Sequence, residues 1–205
     1  MARRPRRELP TNLLHVTCRT VRRTPLFLSE RDASALLDLL DHASCDVAPW
    51  TLYAYCLMPN HVHYVVHAKT DDLARIMWRV NGLYAQRFNR EHGFSGHLFQ
   101  GRYHATPILG EAHLCRSIRY VVLNPVRGGL CERPEQWRWS SYRPTLGLSA
   151  ARRCLAADET LELFGADRAM ARTHFRRFVE DALPRAEQDE VRGQAPGLSP
   201  LELAS

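Results

Sequence analysis

Alternation of polar and apolar side chains predicts the strands of this chain. Leu13–Arg19 shows a mixed alternation, residues 50–57 and 61–67 are rich in β-branched and aromatic residues, and a fourth strand is predicted to end near residues 108–109. Between the second and third strands, Met58-Pro59-Asn60 is typical of a turn, because proline fixes its own φ angle and asparagine tolerates tight turns. The second and third strands are therefore predicted to form a hairpin.

Apolar residues at helical spacing predict the helices. Ser29 is a predicted N-cap ahead of an apolar face over residues 33–40, and a second helix begins at Asp71-Asp72 with a buried stripe over residues 73–88. A third helix covers residues 111–123 and is predicted to stop at Asn124-Pro125, since the residue before proline is pushed out of the helical region. Two further helices are predicted over 159–164 and 168–183. The order β-α-β-β-α-β-α predicts an α+β fold, a ferredoxin-like antiparallel sheet with helices on one face.

Charge is distributed unevenly along the 205 residues. Residues 1–154 carry 22 Arg or Lys against 12 Asp or Glu, whereas residues 155–205 carry 6 against 10. Lys69 is the only lysine, so the positive charge is nearly all arginine, whose planar fork matches phosphate oxygens two at a time. A genome that favours arginine codons would explain the scarcity of lysine but not the excess of base over acid. The basic main body favours a polyanionic partner, most simply nucleic acid.

Composition also predicts the compartment. No apolar run approaches the ~18 residues needed to span a membrane, and the basic N-terminus leads into no sustained apolar segment of a signal peptide. The six cysteines are scattered without a C-x-x-C pair, which indicates reduced thiols. We expect a cytoplasmic protein, nucleoid-associated when bound to DNA, with no membrane partner.

The third predicted strand carries a pair of histidines. Successive strand side chains point to opposite faces, so His61 and His63 share one face and Val62 and Tyr64 share the other. Two neutral imidazoles side by side can begin a divalent metal site. A pair of surface histidines with no function is the alternative, and local sequence does not decide between them.

The third predicted helix adds two polar side chains. Tyr120 and Asn124 are four residues apart and therefore share a helix face. A phenol can attack phosphorus and form a phosphotyrosine ester, and a cation held by His61, His63 and the Asn124 amide oxygen would polarise the phosphate. Such a ligand set with open positions suits Mg²⁺ or Mn²⁺ better than a closed zinc site. The local alternatives are a packed Tyr120 and an Asn124 that only ends the helix.

Four sequence segments, taken together in their order along the chain, are informative about the family. They are Tyr53-Ala-Tyr-Cys-Leu-Met-Pro-Asn-His-Val-His-Tyr-Val-Val66, Gly96-His-Leu-Phe-Gln-Gly-Arg-Tyr103, Arg119-Tyr-Val-Val-Leu-Asn-Pro-Val-Arg-Gly-Gly-Leu130 and Trp139-Ser-Ser-Tyr142. Together they resemble the single-tyrosine HUH transposases, specifically the REP-associated tyrosine transposases. The resemblance implies an HUH endonuclease fold with His61, His63 and Asn124 as metal ligands and Tyr120 as the nucleophile that forms a 5′-phosphotyrosine link. It further implies single-stranded, REP-like hairpin DNA as the substrate.

Composition and the resemblance together divide the chain into four parts and suggest its DNA contacts. We expect a basic arm over residues 1–12, a catalytic domain over 13–145, a C-terminal helical extension over 146–183 and a flexible tail over 184–205. Trp137, Trp139 and Tyr142 are candidate stacking surfaces for unpaired bases, with core packing as the alternative. The expected DNA contacts are Arg3, Arg4, Arg6, Arg7, Arg22, Arg23, Arg102, Tyr103, Arg127, Arg138 and Arg143.

Three functions remain open from the sequence. The first is a metal-dependent strand transferase that cleaves DNA through Tyr120. The second is a domesticated protein that binds hairpin DNA without turnover, and the third is a nuclease in which water attacks and Tyr120 is structural. The sequence allows either a monomer or a homodimer.

Overall fold

The computed structural model describes residues 9–183, and the basic arm at Arg3 to Arg7 and the tail at 184–205 lie outside the described residues. Within these residues, four strands and seven α-helices follow in the order β1 (Leu13–Arg19), α1 (Glu30–Asp46), β2 (Thr51–Met58), β3 (His61–His67), α2 (Thr70–His92), β4 (His104–Pro107), α3 (Glu111–Val122), α4 (Asn124–Arg127), α5 (Tyr142–Thr145), α6 (Ala157–Glu162) and α7 (Arg168–Glu180). The predicted α+β order is confirmed. The sheet is antiparallel with strand order β2-β3-β1-β4.

Local sequence explains where the helices begin and end. Ser29 caps α1 through two reciprocal hydrogen bonds: its Oγ accepts from the backbone N–H of Asp32, and the Asp32 carboxylate accepts from the backbone N–H of Ser29. The same carboxylate also accepts from the backbone N–H of Leu28. The α3 helix ends at Val122, one residue before the predicted end, but the chain then makes one more helical turn, α4, instead of leaving the helical conformation. Proline is tolerated there because it lies in the first turn of α4, where no N–H donor is needed.

Helices cover both faces of the sheet, whereas the sequence pattern predicted them on one face. One hydrophobic core places Leu14, Leu52 and Tyr64 against α1 and α2. A second core, on the other face, packs Ala54 and Val65 against α3, α6 and α7. The physical reason is that β2 and β3 are buried on both sides, so each face needs a covering layer.

A bulge in β2 helps both faces to pack. The pairing of β2 with β3 shifts between Leu52 and Ala54, which places Tyr53 as an extra residue. Because of this shift, Leu52 and Tyr55 both enter the first core although three positions separate them. The predicted C-terminal helical extension belongs to the second core, since Phe175 and Val179 of α7 pack there with α3.

Candidate active site

Strands β3 and β1 build the floor of the site. Thr17 is the cross-strand partner of His63, and Arg19 is the partner of His61, so these side chains share the face that carries the second core. The imidazole rings of His61 and His63 lie 4.8 Å apart between centroids. His15 of β1 stacks on His63 with centroids 5.0 Å apart, and its Nε2 lies 2.8 Å from His63 Nδ1.

Both candidate ligands are held as neutral imidazoles. His63 is only 5% exposed, and burial, followed by the nearby His15, His61 and Arg19, lowers its pKa to about 3. Burial, followed by the charges of Arg19 and Arg23, lowers the pKa of His61 to about 4. At neutral pH each ring therefore keeps one nitrogen lone pair, which is the form that binds a metal.

Hydrogen bonds occupy the Nδ1 atom of each ring. His61 Nδ1 lies 2.7 Å from Asn60 Oδ1, which only accepts, so the proton is assigned to Nδ1. Assigning the His63 proton to Nδ1 likewise lets it donate to His15 Nε2. Both Nε2 atoms then carry free lone pairs, and a partner that fixes the tautomer in this way is typical of metal-ligating histidines.

The donor set present fits a divalent cation only if an amide oxygen joins the imidazoles. Among residues 9–183, no group of three or more His, Cys, Asp or Glu side chains is arranged to hold a metal ion. The predicted third ligand, Asn124, begins α4, which contacts β2. Val126 of α4 packs on the second core, which contains Met58, the cross-strand partner of His61. Asn124 Nδ2 donates to the carbonyl oxygen of Tyr120 at 3.0 Å, which leaves the amide oxygen out of that bond.

The α3 helix brings Tyr120 over the histidines. Leu114, Ile118 and Val121 anchor this helix in the second core, and Tyr120 lies at the edge of the buried face, 42% exposed. Its ring centroid is 5.7 Å from those of both His63 and His15, in edge-on geometry. The site therefore combines a solvent-accessible phenol with two neutral imidazoles, all from one chain.

The predicted DNA contacts fall into two groups. Arg22, Arg23, Arg102 and Arg127 are exposed, and the Arg127 guanidinium lies 5.4 Å from the centre of the Tyr120 ring. Arg22 and Arg23 both have positive φ angles, which are rare outside glycine and place strain at the end of β1 beside His61.

The other predicted contacts have partners within the protein. Tyr103 is 4% exposed and lies in the first core, which favours a packing role over the predicted DNA contact. Arg143 donates to the carbonyls of Glu135 and Leu148, and Arg138 pairs with Glu30 while it stacks on Trp139. Each guanidinium group therefore has at least one partner within the protein, and the Arg138 side chain stays 60% exposed.

The candidate stacking residues are also engaged. Tyr142 is buried, and Trp137 donates its Nε1–H to the carbonyl of Leu57 at 2.9 Å. Trp139 is partly buried against the first core. Core packing is therefore the correct interpretation of Tyr142, and both tryptophans are held by the fold.

Sequence reasoning missed three residues near the centre: His15, Arg19 and His104. The alternation of side chains along β1 and β4 shows which of these residues share a face of their own strand. Only the register between the strands places them beside the histidine pair.

The chain belongs to the IS200-like transposase family, because the family model described as "Transposase IS200 like" matches residues 11–122. Within that family the chain is similar to a Haemophilus influenzae protein named as a REP-associated tyrosine transposase, with 23% identity over 134 residues, 57% of this chain and 76% of the relative. The sequence-based resemblance is thereby confirmed.

A solved structure shares the fold. A REP-associated tyrosine transposase bound to a REP hairpin superposes with a TM-score of 0.56 and 19% identity, covering 72% of this chain and 85% of that one. In the part of this chain that the structure describes, no helix is both long and apolar enough to cross a lipid bilayer. All six cysteines are free thiols, as predicted.

Proposed function

We propose that this protein is a metal-dependent, single-stranded DNA endonuclease and strand transferase that cuts and rejoins REP-like hairpin DNA through Tyr120. The observation that carries the proposal is the convergence of one exposed phenol on two neutral imidazoles, with ring centroids 5.7 Å apart for Tyr120 and His63. Since one chain supplies every group, a second copy is not needed to complete the site.

The reaction is an exchange of phosphoesters. The Tyr120 hydroxyl attacks phosphorus, the bond from phosphorus to the 3′ oxygen breaks, and the phenol proton leaves while the 3′ oxygen gains one. The 5′ end is then linked to Tyr120, and attack by a 3′-hydroxyl reverses the step and joins two strands.

The other side chains hold and orient the reacting groups. His61, His63 and Asn124 are the proposed ligands of Mg²⁺ or Mn²⁺, and the ion when bound supplies polarisation of a phosphate oxygen. Arg127 lies beside the phenol, where a guanidinium can pair with the charge of the attacked phosphate. With the proton assigned to His63 Nδ1, His15 Nε2 accepts it and His63 Nε2 is left for the ion.

Hairpin DNA is the proposed partner on two grounds. The structurally similar transposase is bound to a REP hairpin. The exposed Arg22, Arg23, Arg102 and Arg127 present phosphate-binding groups around the site of this chain.

A covalent adduct tests the proposal. The protein is incubated with Mn²⁺ and a labelled REP-like hairpin that has unpaired flanks, and linked DNA is resolved on a denaturing protein gel. We expect an adduct with the wild type, none with Tyr120→Phe, and wild-type adduct with the matched control Tyr53→Phe, whose residue lies at the β2 bulge.

Other outcomes would contradict the proposal in distinct ways. Free 5′-phosphate ends without linked protein would assign the attack to water. Tight binding with no cleavage at any metal concentration would make the chain a hairpin-binding protein. An adduct that persists in Tyr120→Phe would exclude this residue as the nucleophile.

A further inference from the structure

A pocket opens on the sheet beside the candidate active site, between β1 and β4. Its volume is about 500 Å³, which lies within the range of small-molecule sites. We call it the β1–β4 pocket; it is lined by Thr17, Arg19, Gln100, Gly101, Arg102 and His104.

The pocket adjoins the candidate metal ligands. Thr17 Oγ1 lies 3.4 Å from His63 Nδ1, and His104 is the β4 partner of Thr17. Arg19 is the β1 partner of His61. Since neighbouring strands lie about 4.8 Å apart, the pocket begins about one strand spacing from the histidines. A nucleotide next to the attacked phosphate would reach it.

The lining chemistry selects an anion. Arg19 and Arg102 are exposed, and no carboxylate among residues 9–183 pairs with either of them. No acidic side chain lines the pocket. Two guanidinium groups in such surroundings suit phosphate oxygens, since a nearby carboxylate would compete for them.

The remaining lining groups suit the edge of a base. The Gln100 amide can donate and accept at once, and His104 and Thr17 add further polar atoms. Gly101 contributes no side chain, and a Cβ atom placed there would meet open space. The pocket therefore has room for a nucleotide as well as groups to bind one.

We propose that the β1–β4 pocket holds one unpaired nucleotide that flanks the cleaved bond, with its phosphate on Arg19 and Arg102 and its base edge against Gln100 and His104. This inference rests on the proposed function, because the cleaved strand is what places a nucleotide there.

Binding measured without cleavage tests the pocket separately from the chemistry. The probe is a fluorescent REP-like hairpin with a short randomised unpaired flank, bound to Tyr120→Phe protein in EDTA. We expect Arg102→Ala to weaken binding about tenfold and to reduce the salt slope by about 0.7, the value for one phosphate contact on a single strand. The matched control, Arg90→Ala, removes an exposed arginine of α2 on the opposite face and should change affinity less than about twofold.

Two uncharged changes test shape and base contact. Gly101→Val should weaken binding without altering charge, because Gly101 lines the pocket and the added side chain would take up open space there. Sequencing the bound fraction of the randomised flank should show base enrichment at one position, and Gln100→Ala should abolish enrichment at that position alone.

The results that would overturn the inference are specific. Equal hairpin affinities of Arg102→Ala and Arg90→Ala would exclude the proposed phosphate contact of Arg102. Unchanged hairpin binding by Gly101→Val would show that no nucleotide occupies the pocket. Enrichment that survives Gln100→Ala would remove the base contact. If the pocket variants behave as expected but no Tyr120 adduct forms, the proposed cleavage fails while the nucleotide site stands.

Discussion

Replacing His15 by leucine should weaken metal binding although His15 is not a proposed ligand. His63 Nδ1 has two partners, His15 Nε2 at 2.8 Å and Thr17 Oγ1 at the longer distance of 3.4 Å. Leucine removes the shorter bond, so the Nδ1 proton is no longer fixed and the Nε2 lone pair is available for less of the time.

The expected loss is of moderate size. Loss of an outer partner of a ligating histidine typically costs about 10–100-fold in metal affinity, or about 1.4–2.7 kcal/mol. His15→Gln should recover part of it, because its side-chain oxygen can accept from His63 Nδ1. His42→Leu is the matched control, since that exposed imidazole lies on α1 and bonds its own helix backbone.

Mn²⁺ affinity is measured on metal-stripped protein by calorimetry and by the electron paramagnetic resonance signal of the free ion. Unfolding by urea shows whether each variant keeps its fold. Wild-type affinity in His15→Leu would refute the reasoning. Equal weakness of His15→Leu and His15→Gln would show that ring packing, not the hydrogen bond, is what matters.

Three further changes test the fold and the site. The pKa of His63 in the folded chain, about 3, lies below the ordinary value of 6.5, so the unfolded chain binds more protons between these values and stability rises with pH in that window. Between about pH 6.5 and pH 5, His63 alone should lower the unfolding free energy of metal-free wild type by about 2 kcal/mol. His63→Gln should remove this part of the loss in urea unfolding, whereas the part that comes from His61, whose pKa is also lowered, should remain. Asp32 is 2% exposed; burial opposes its charge, but hydrogen bonds from Leu28 and Ser29 outweigh this and lower its pKa. Asp32→Ala should therefore destabilise the protein by about 2 kcal/mol, and a urea midpoint equal to wild type would contradict the capping account. Tyr103→Ala should cost about 3–5 kcal/mol of stability. Tyr103→Phe should leave hairpin affinity unchanged in a fluorescence titration, and weaker binding by this variant would show that the Tyr103 hydroxyl contributes to DNA binding.

Local periodicity predicted the parts of the site that lie on one element. A strand repeats every second residue, so His61 and His63 had to share a face, and Tyr120 and Asn124 had to lie close together near the end of α3. The limits of β1 and β3 followed from the same alternation and agree with the structure.

Long-range pairing could not be read from local patterns. The partnership of Thr17 with both His63 and His104 depends on the register of three strands, and it alone reveals His15 and the β1–β4 pocket. Tyr103 belongs to a basic segment that suggested a DNA contact, yet its ring packs in the first core. Tertiary packing, not local sequence, decides which way a side chain points in an irregular loop. The two-sided burial of β2 was visible as a near-continuous apolar run and could have predicted helices on both faces.

Mapping the covalent link by mass spectrometry tests the central claim most directly. Trypsin cuts after Arg119 and Arg127, so the peptide of residues 120–127 begins with the candidate nucleophile. After reaction with a REP-like hairpin and nuclease digestion, we predict a nucleotide mass on Tyr120 in that peptide. The same mass on a different peptide, or cleaved DNA with no modified peptide, would contradict the account.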